Sequence, residues 1–152
     1  MTSRLPAVLD EAKKHQVKID WVVLMGGIND ILRYGTSVDE VWGGHEDLYE
    51  ACKERGVRVL VLTLLEVGPA IPAGGRVPEL MQRRAWLNNM IRGAPREHSN
   101  VAVLDGGKAF PFPTNASDPR SPLWSDRIHL SSAGYDKLGA LVYGALKQHL
   151  EK

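Results

Sequence analysis

Three short runs of almost wholly apolar residues, at positions 21–25, 57–65 and 101–104, alternate with segments whose apolar residues recur at helical spacing. Runs of this kind predict strands covered on both faces, as in a parallel sheet between helices. Right-handed crossovers then place the helices on the two sides of the sheet. The sequence therefore predicts the α/β class, with a three-layer αβα sandwich around a parallel sheet and one domain over residues 1–152.

The segment between the first two runs has the clearest helical pattern. Its apolar stripe is preceded by Ser37, with Glu40 three residues later, and it is followed by Gly56. Ser and Glu at this spacing predict a capping box, and a glycine is typical of a helix end. Further helices are predicted around residues 5–12, 80–91 and 138–149. Two loops rich in Pro and Gly, 66–78 and 106–125, follow strand ends, where ligands bind in open α/β sheets.

Charge and composition exclude several classes of function. The chain has 19 basic and 18 acidic residues, so its net charge of +1 is too small to attract nucleic acid or an anionic membrane. The arginines of the third helix are predicted to form its solvated face; they are Arg83, Arg84, Arg92 and Arg96. No membrane span and no signal peptide are expected, and the cytoplasm is the default location. With the single Cys52, neither a metal nor another cofactor is expected.

The first motif that could take part in catalysis or binding is Gly26-Gly27-Ile28-Asn29-Asp30, directly after the first apolar run. Glycines at a strand end allow a sharp turn that presents the next polar side chain at the rim of the sheet. A simpler interpretation is a tight turn in which Asn29 or Asp30 caps the following segment. Phosphate binding is the weaker alternative, because neither G-x-G-x-x-G nor G-x-x-x-x-G-K-[ST] occurs.

The second motif is Asp126-Arg127-Ile128-His129, between a Pro-rich loop and the last helix. A carboxylate three residues before a histidine can reach one ring nitrogen, fix the tautomer and stabilise the imidazolium. The alternative is a pair of side chains that only help the chain to enter the helix. The remaining histidines lack a partner motif and are interpreted as helix contacts; they are His15, His45, His98 and His149.

Together, the two motifs resemble the SGNH, or GDSL, esterases and lipases. Gly27-Ile28-Asn29-Asp30 resembles the Gly-x-Asn-Asp block of that family, and Asp126-Arg127-Ile128-His129 resembles its Asp-x-x-His block. The resemblance covers essentially the whole chain and implies a flavodoxin-like sandwich. It also implies a small-molecule ester as substrate, with short acyl or acetyl esters expected.

The resemblance implies a role for each matching side chain. His129 would be the general base and then the general acid, and Asp126 would orient it. The Asn29 amide would donate to the oxyanion, supported by the turn at Gly27 and by Asp30. One such donor is worth roughly 3–4 kcal/mol of transition-state stabilisation in acyl transfer.

The nucleophile block of the family, Gly-Asp-Ser, does not occur in the sequence. No serine follows a strand in a nucleophile-presenting turn, although eight are present: Ser3, Ser37, Ser99, Ser117, Ser121, Ser125, Ser131 and Ser132. The domain is therefore expected to be N-terminally incomplete, and the chain alone is expected to be a poor esterase. Loss of the serine alone costs about a millionfold in turnover in a serine protease series.

Two further expectations follow from the first strand and from the absent block. In the related fold this strand lies beside the one that carries the nucleophile, so residues 21–25 would form an apolar sheet edge that recruits a second copy of the chain. The alternative function is a non-catalytic remnant that keeps the fold for binding or assembly. A nucleotide-binding α/β domain is a third and weaker alternative.

Overall fold

The computed structural model describes residues 4–33, 35–68 and 77–150, in which helices and strands alternate. Arg33, Val77 and Pro78 are described by their backbone alone. The helices and strands are α1 (Arg4–Lys14), β1 (Trp21–Leu24), α2 (Ile28–Arg33), α3 (Val38–Lys53), β2 (Arg58–Leu62), α4 (Val77–Gly93), β3 (Val101–Leu104), α5 (Gly106–Ala109) and α6 (Ser132–Leu150). Single 3₁₀ turns lie at Ala94–Arg96 and Ser121–Leu123.

The strands form a parallel sheet in the order β1-β2-β3. Trp21 is opposite Arg58, and Val59 is opposite Val101. Helices cover both faces of this sheet, so the predicted α/β class and the αβα layering are confirmed. None of the described helices is long and apolar enough to cross a bilayer.

The side chains of β2 alternate between two core clusters. Val59 and Val61 pack into the cluster formed with α1, α3 and α4, whereas Leu60 and Leu62 face the cluster that contains Phe110 and α6. These four side chains are almost completely buried, whereas Arg58 at the start of β2 is exposed. The central strand is thus covered on both faces, as its apolar run predicted.

The prediction of full coverage is wrong for β1. Val23 is 46% exposed and Met25 is 43% exposed, and β1 lies at one edge of the described sheet. On the α6 side, Trp21 is covered by His149 near the end of that helix, with 5.0 Å between the ring centroids. The main part of that cluster lies over β2 and β3, so Val23 in β1 and Met25 directly after it remain open to solvent.

The local signals predict some element boundaries and miss others. The Ser37 hydroxyl accepts from the Glu40 amide at 3.1 Å, and the Glu40 carboxylate accepts from the Ser37 amide at 2.9 Å, which confirms the capping box. Helix α4, the third of the predicted helices, already includes Pro78. Residues 69–76 of the predicted loop 66–78 lie outside the described residues. The predicted loop 106–125 contains α5 and a 3₁₀ turn.

Candidate active site

Asp126 and His129 form a hydrogen-bonded pair in the loop before α6. Nδ1 of His129 lies 2.8 Å from Oδ2 of Asp126. The other carboxylate oxygen, Oδ1, accepts from the backbone amides of Ile128 and His129, at 2.7 Å each. Three donors therefore hold this carboxylate: the His129 ring and two backbone amides of the same tight turn.

These donors favour the charged form of Asp126. The hydrogen bond from His129, followed by the two backbone amides, lowers the pKa of Asp126 to about 2. An ionised carboxylate can only accept, so Nδ1 of His129 carries the hydrogen, and in the neutral imidazole the free lone pair is on Nε2. Nε2 makes no hydrogen bond within the described residues, and the His129 side chain is 64% exposed. The pair thus presents a basic nitrogen to solvent.

Backbone contacts fix the loop that carries the pair. The Ser125 amide donates to the His129 carbonyl at 2.9 Å, and an antiparallel bridge joins Trp124 to Leu130. The Gly68 amide donates to the Arg127 carbonyl at 2.7 Å. Because Gly68 follows β2, this bond ties the pair to the carboxyl edge of the sheet.

The glycine turn after β1 leads into α2. Gly27 is buried at a φ of +106°, a conformation that favours glycine, and a Cβ there would lie 2.8 Å from Cγ1 of Val41. Asn29 is exposed in the first turn of α2, and Asp30 is partly buried. The turn therefore presents the Asn29 side chain at the carboxyl end of β1.

His45, which the sequence predicted only as a helix contact, supports this turn through hydrogen bonds at both ring nitrogens. Its Nε2 lies 3.2 Å from the Gly26 carbonyl oxygen, and its Nδ1 lies 3.1 Å from the Tyr49 hydroxyl. A carbonyl can only accept, so Nε2 carries the hydrogen and Nδ1 accepts from Tyr49. Burial lowers the pKa of His45, which keeps the ring neutral. The signal was in the sequence, because a histidine on a buried helical stripe needs a polar partner.

The arginines of α4 do not all lie on a solvated face, contrary to the prediction. Arg83 donates to the carbonyls of Ile31, at 3.2 Å, and Thr36. Arg84 donates to the carbonyls of Leu64 and Leu65, at 3.2 and 3.1 Å, and burial lowers its pKa. Carbonyl groups in and after the last turn of α2, and after β2, need donors where the helix or the strand ends. Both arginines therefore hold segments that flank the candidate site.

The structure brings Asp126 and His129 together but shows no hydrogen bond from them to Asn29 within the described residues. Both motifs lie at the carboxyl edge of the sheet, since Asn29 follows β1 and the pair is tied to the segment after β2. No serine hydroxyl of the described residues hydrogen-bonds to the His129 ring. Ser37 serves as the cap of α3, and Ser3 lies outside the described residues.

A shallow cavity of about 320 Å³ lies beside the pair, lined by Phe112, Thr114, Asn115, Ser121 and Arg127 among others. Three aromatic side chains of the predicted loop 106–125 are candidates for the wall of a pocket, namely Phe110, Phe112 and Trp124. Phe112 does line this cavity, but Phe110 is completely buried in the core and Trp124 is nearly so. The aromatic side chains of this loop therefore mainly anchor it.

Sequence and structure comparisons agree on the relatives of this chain. Residues 1–137 match the sequence model of the GDSL-like Lipase/Acylhydrolase family. A GDSL-like lipase from Bacteroides thetaiotaomicron shares the fold, with a TM-score of 0.75 and 17% identity over 98% of this chain and 72% of that one. An acetyl xylan esterase, AlAXEase, has a TM-score of 0.68 and 23% identity over 90% of this chain and 71% of that one. No curated protein sequence matches this chain.

Proposed function

Because the chain belongs to the GDSL-like lipase and acylhydrolase family, a family of ester hydrolases, we propose that His129, Asp126 and Asn29 are its acyl-transfer residues. The proposed substrates are short acyl or acetyl esters of small molecules. One of the similar structures is an acetyl xylan esterase, which agrees with an acetyl ester as the substrate.

The hydrogen bond of 2.8 Å between Asp126 and His129, with Nε2 of the ring exposed, is the observation that carries the proposal. Nε2 would remove the proton from a nucleophilic hydroxyl as its oxygen attacks the ester carbonyl. It would then return the proton to the departing alkoxide, and a water molecule would hydrolyse the acyl intermediate by the same two steps. Asp126 would stay ionised and stabilise the imidazolium, while the Asn29 amide would donate to the oxyanion.

No side chain of this sequence is recognisable as the nucleophile of the reaction. Gly-Asp-Ser is absent from the sequence, and no described serine is bonded to His129. We therefore propose that hydrolysis by this chain alone is strongly impaired. The second candidate is a non-catalytic domain that uses the fold for binding or assembly, and the same absence favours it.

Hydrolysis of a chromogenic acetyl ester by the parent chain and by His129→Ala tests the enzymatic proposal. His15→Ala is the matched control, since His15 is an exposed histidine with Glu11 at 2.7 Å but lies on α1. Activity that falls at least about a hundredfold in His129→Ala, and is kept in His15→Ala, would support general-base catalysis. Equal residual rates in all three proteins would favour the non-catalytic domain.

The edge of the sheet supports a proposal about partners, namely that a second copy pairs along β1. Val23 and Met25 are nearly half exposed there, and the outer edge of β1, which has no partner strand in the described sheet, offers backbone donors and acceptors to another strand. Sedimentation of the parent and of Val23→Lys tests this idea. A dimer in the parent that dissociates in the variant would support pairing, and a parent that stays monomeric at high concentration would reject it.

A further inference from the structure

Glu46, Glu97 and His98 meet where α3 packs beside the 3₁₀ turn before β3. One potential ligand atom from each residue lies within 4.8 Å of the other two. Glu46 and His98 are partly buried, and Glu97 is exposed. Glu97 and His98 are neighbours in the sequence, whereas Glu46 comes from a separate helix, so only the fold assembles this group.

The imidazole of His98 is held rigidly against α3. Its ring packs edge-on to Tyr49, with 5.1 Å between centroids, and to Trp42, with 6.5 Å. Trp42, Glu46 and Tyr49 follow each other at spacings of four and three, which places them on one face of the helix. The backbone amide of His98 donates to the Ala94 carbonyl at 2.8 Å. The ring is thus positioned before any ligand arrives, as good binding sites require.

Nε2 of His98 has no hydrogen-bond partner although the atom is buried. The nearest carboxylate atom, Oε1 of Glu46, lies 3.7 Å away, which is too far for a hydrogen bond. Two ligands on a tetrahedral zinc ion, each about 2.0–2.1 Å from the metal, are separated by roughly 3.4 Å. The gap between Nε2 and Oε1 is therefore close to the spacing that a bridging cation needs, and it explains the unpartnered nitrogen.

We propose that Glu46, Glu97 and His98 bind one divalent transition-metal ion, with Zn²⁺ as the best fit. An imidazole nitrogen with two carboxylates suits zinc, whereas Mg²⁺ and Ca²⁺ prefer sites made only of oxygen. Two carboxylates balance the charge of the ion. Three protein ligands leave a position for water on the exposed side of Glu97. This differs from the expectation from the sequence, which contained no metal, because the ligands are far apart along the chain.

The ion would join α3 to the segment that leads into β3 and so stabilise the packing between them. Asp126 and His129 belong to a different loop, and their hydrogen bond of 2.8 Å is already made. The proposed site is therefore independent of the acyl-transfer proposal. Any ligand that binds only the folded chain raises the melting temperature in proportion to the logarithm of its concentration, once it exceeds Kd.

Calorimetric titration of the metal-free chain with Zn²⁺ at pH 7 tests the proposal. We expect one zinc ion per chain and a melting temperature that rises with zinc concentration. His98→Ala and Glu46→Gln should each weaken binding by more than about tenfold. Glu97→Gln should also weaken it, and because Glu97 is exposed this change should leave the packing unchanged. Circular dichroism of each metal-free variant checks the fold.

His15→Ala is the matched control, because the His15 ring already has a hydrogen bond to Glu11 at 2.7 Å and should not contribute. Its zinc affinity should equal that of the parent. Absence of binding at millimolar zinc would overturn the proposal. Binding that is unchanged in His98→Ala but lost in His129→Ala would also overturn it, since the ion would then occupy the loop before α6.

Discussion

Nε2 of His45 lies 3.2 Å from the carbonyl oxygen of Gly26, and this bond fastens the turn before Asn29 to the middle of α3. The same ring accepts a hydrogen bond from Tyr49, so both of its nitrogens have partners inside the core. A buried imidazole with a hydrogen bond at each ring nitrogen is suited to hold a backbone segment in place. His45 is therefore a positioning residue for the proposed oxyanion donor.

Replacing His45 with Gln should reduce the dependence of stability on pH. Burial lowers the pKa of His45 below its ordinary value of 6.5, so the unfolded chain binds a proton more readily than the folded one. Its contribution to stability is thus complete above about pH 6.5 and declines as the pH falls below that value. Urea unfolding at pH 7.5 and pH 5 measures this decline, which should be smaller in His45→Gln than in the parent or in His15→Gln. Equal declines in all three proteins would contradict the assignment.

Gly134 should be the least replaceable glycine of α6. A Cβ at this position would overlap the carbonyl oxygen of Leu123 and lie 2.9 Å from Cβ of Leu130. Gly134→Ala should therefore destabilise the chain by about 1–3 kcal/mol or more and loosen the loop that carries His129. Gly144→Ala, with open space around the added methyl group, should instead gain up to about 1 kcal/mol from helix propensity. Thermal unfolding compares the two, and equal effects would contradict the packing argument.

Features set by nearby residues could be predicted from the sequence. The three strands, the Ser37 cap and the pairing of Asp126 with His129 depend on neighbours a few positions away or on simple hydrophobic periodicity. The third strand was predicted with the bounds that the structure gives it. The edge position of β1 was expected from the resemblance, whereas the exposure of the Val23 side chain depends on which helix covers which strand.

Features set by distant residues could not be predicted. Three contacts each join segments from different parts of the chain: His45 with Gly26, Arg83 with the last turn of α2, and Glu46 with His98. No periodicity or motif encodes such contacts. α5 was missed for a similar reason, since it is held by Asp105 and Thr63 from the ends of two strands.

The ends of α1 and α3 provide a matched pair of backbone tests. Gln16 has a φ of 59° after α1, and Gly56 has a φ of 69° after α3. Only glycine adopts this conformation without steric cost, so Gln16→Gly should stabilise the chain by about 0.5–1 kcal/mol and Gly56→Ala should destabilise it by a similar amount. No atom lies within 4 Å of an added Cβ at Gly56, so packing does not complicate the result. Urea unfolding measures both, and a loss of stability in Gln16→Gly would contradict the backbone explanation.

Asp105 links the ends of β2 and β3 at the carboxyl edge of the sheet. Its carboxylate accepts from the Thr63 hydroxyl at 2.8 Å, from Nε of Arg92 at 2.8 Å and from the Lys108 amide at 3.2 Å. The hydrogen bond from Arg92, with smaller contributions from Thr63 and Lys108, lowers the pKa of Asp105 to about 2. The folded chain therefore holds this carboxylate in its charged form more firmly than the unfolded chain does.

Asp105→Asn should lower the free energy of unfolding at pH 7 by about 1–3 kcal/mol, because charge-assisted hydrogen bonds are lost. A lowered carboxyl pKa stabilises the fold above the ordinary value of 3.8, and this contribution disappears as the pH falls through about 2. The difference between parent and variant should therefore shrink between pH 7 and pH 3. Urea unfolding at both pH values, combined with Arg92→Gln and the double variant, measures the coupling of the two side chains. A difference that is independent of pH would show that Asp105 acts through its shape rather than its charge.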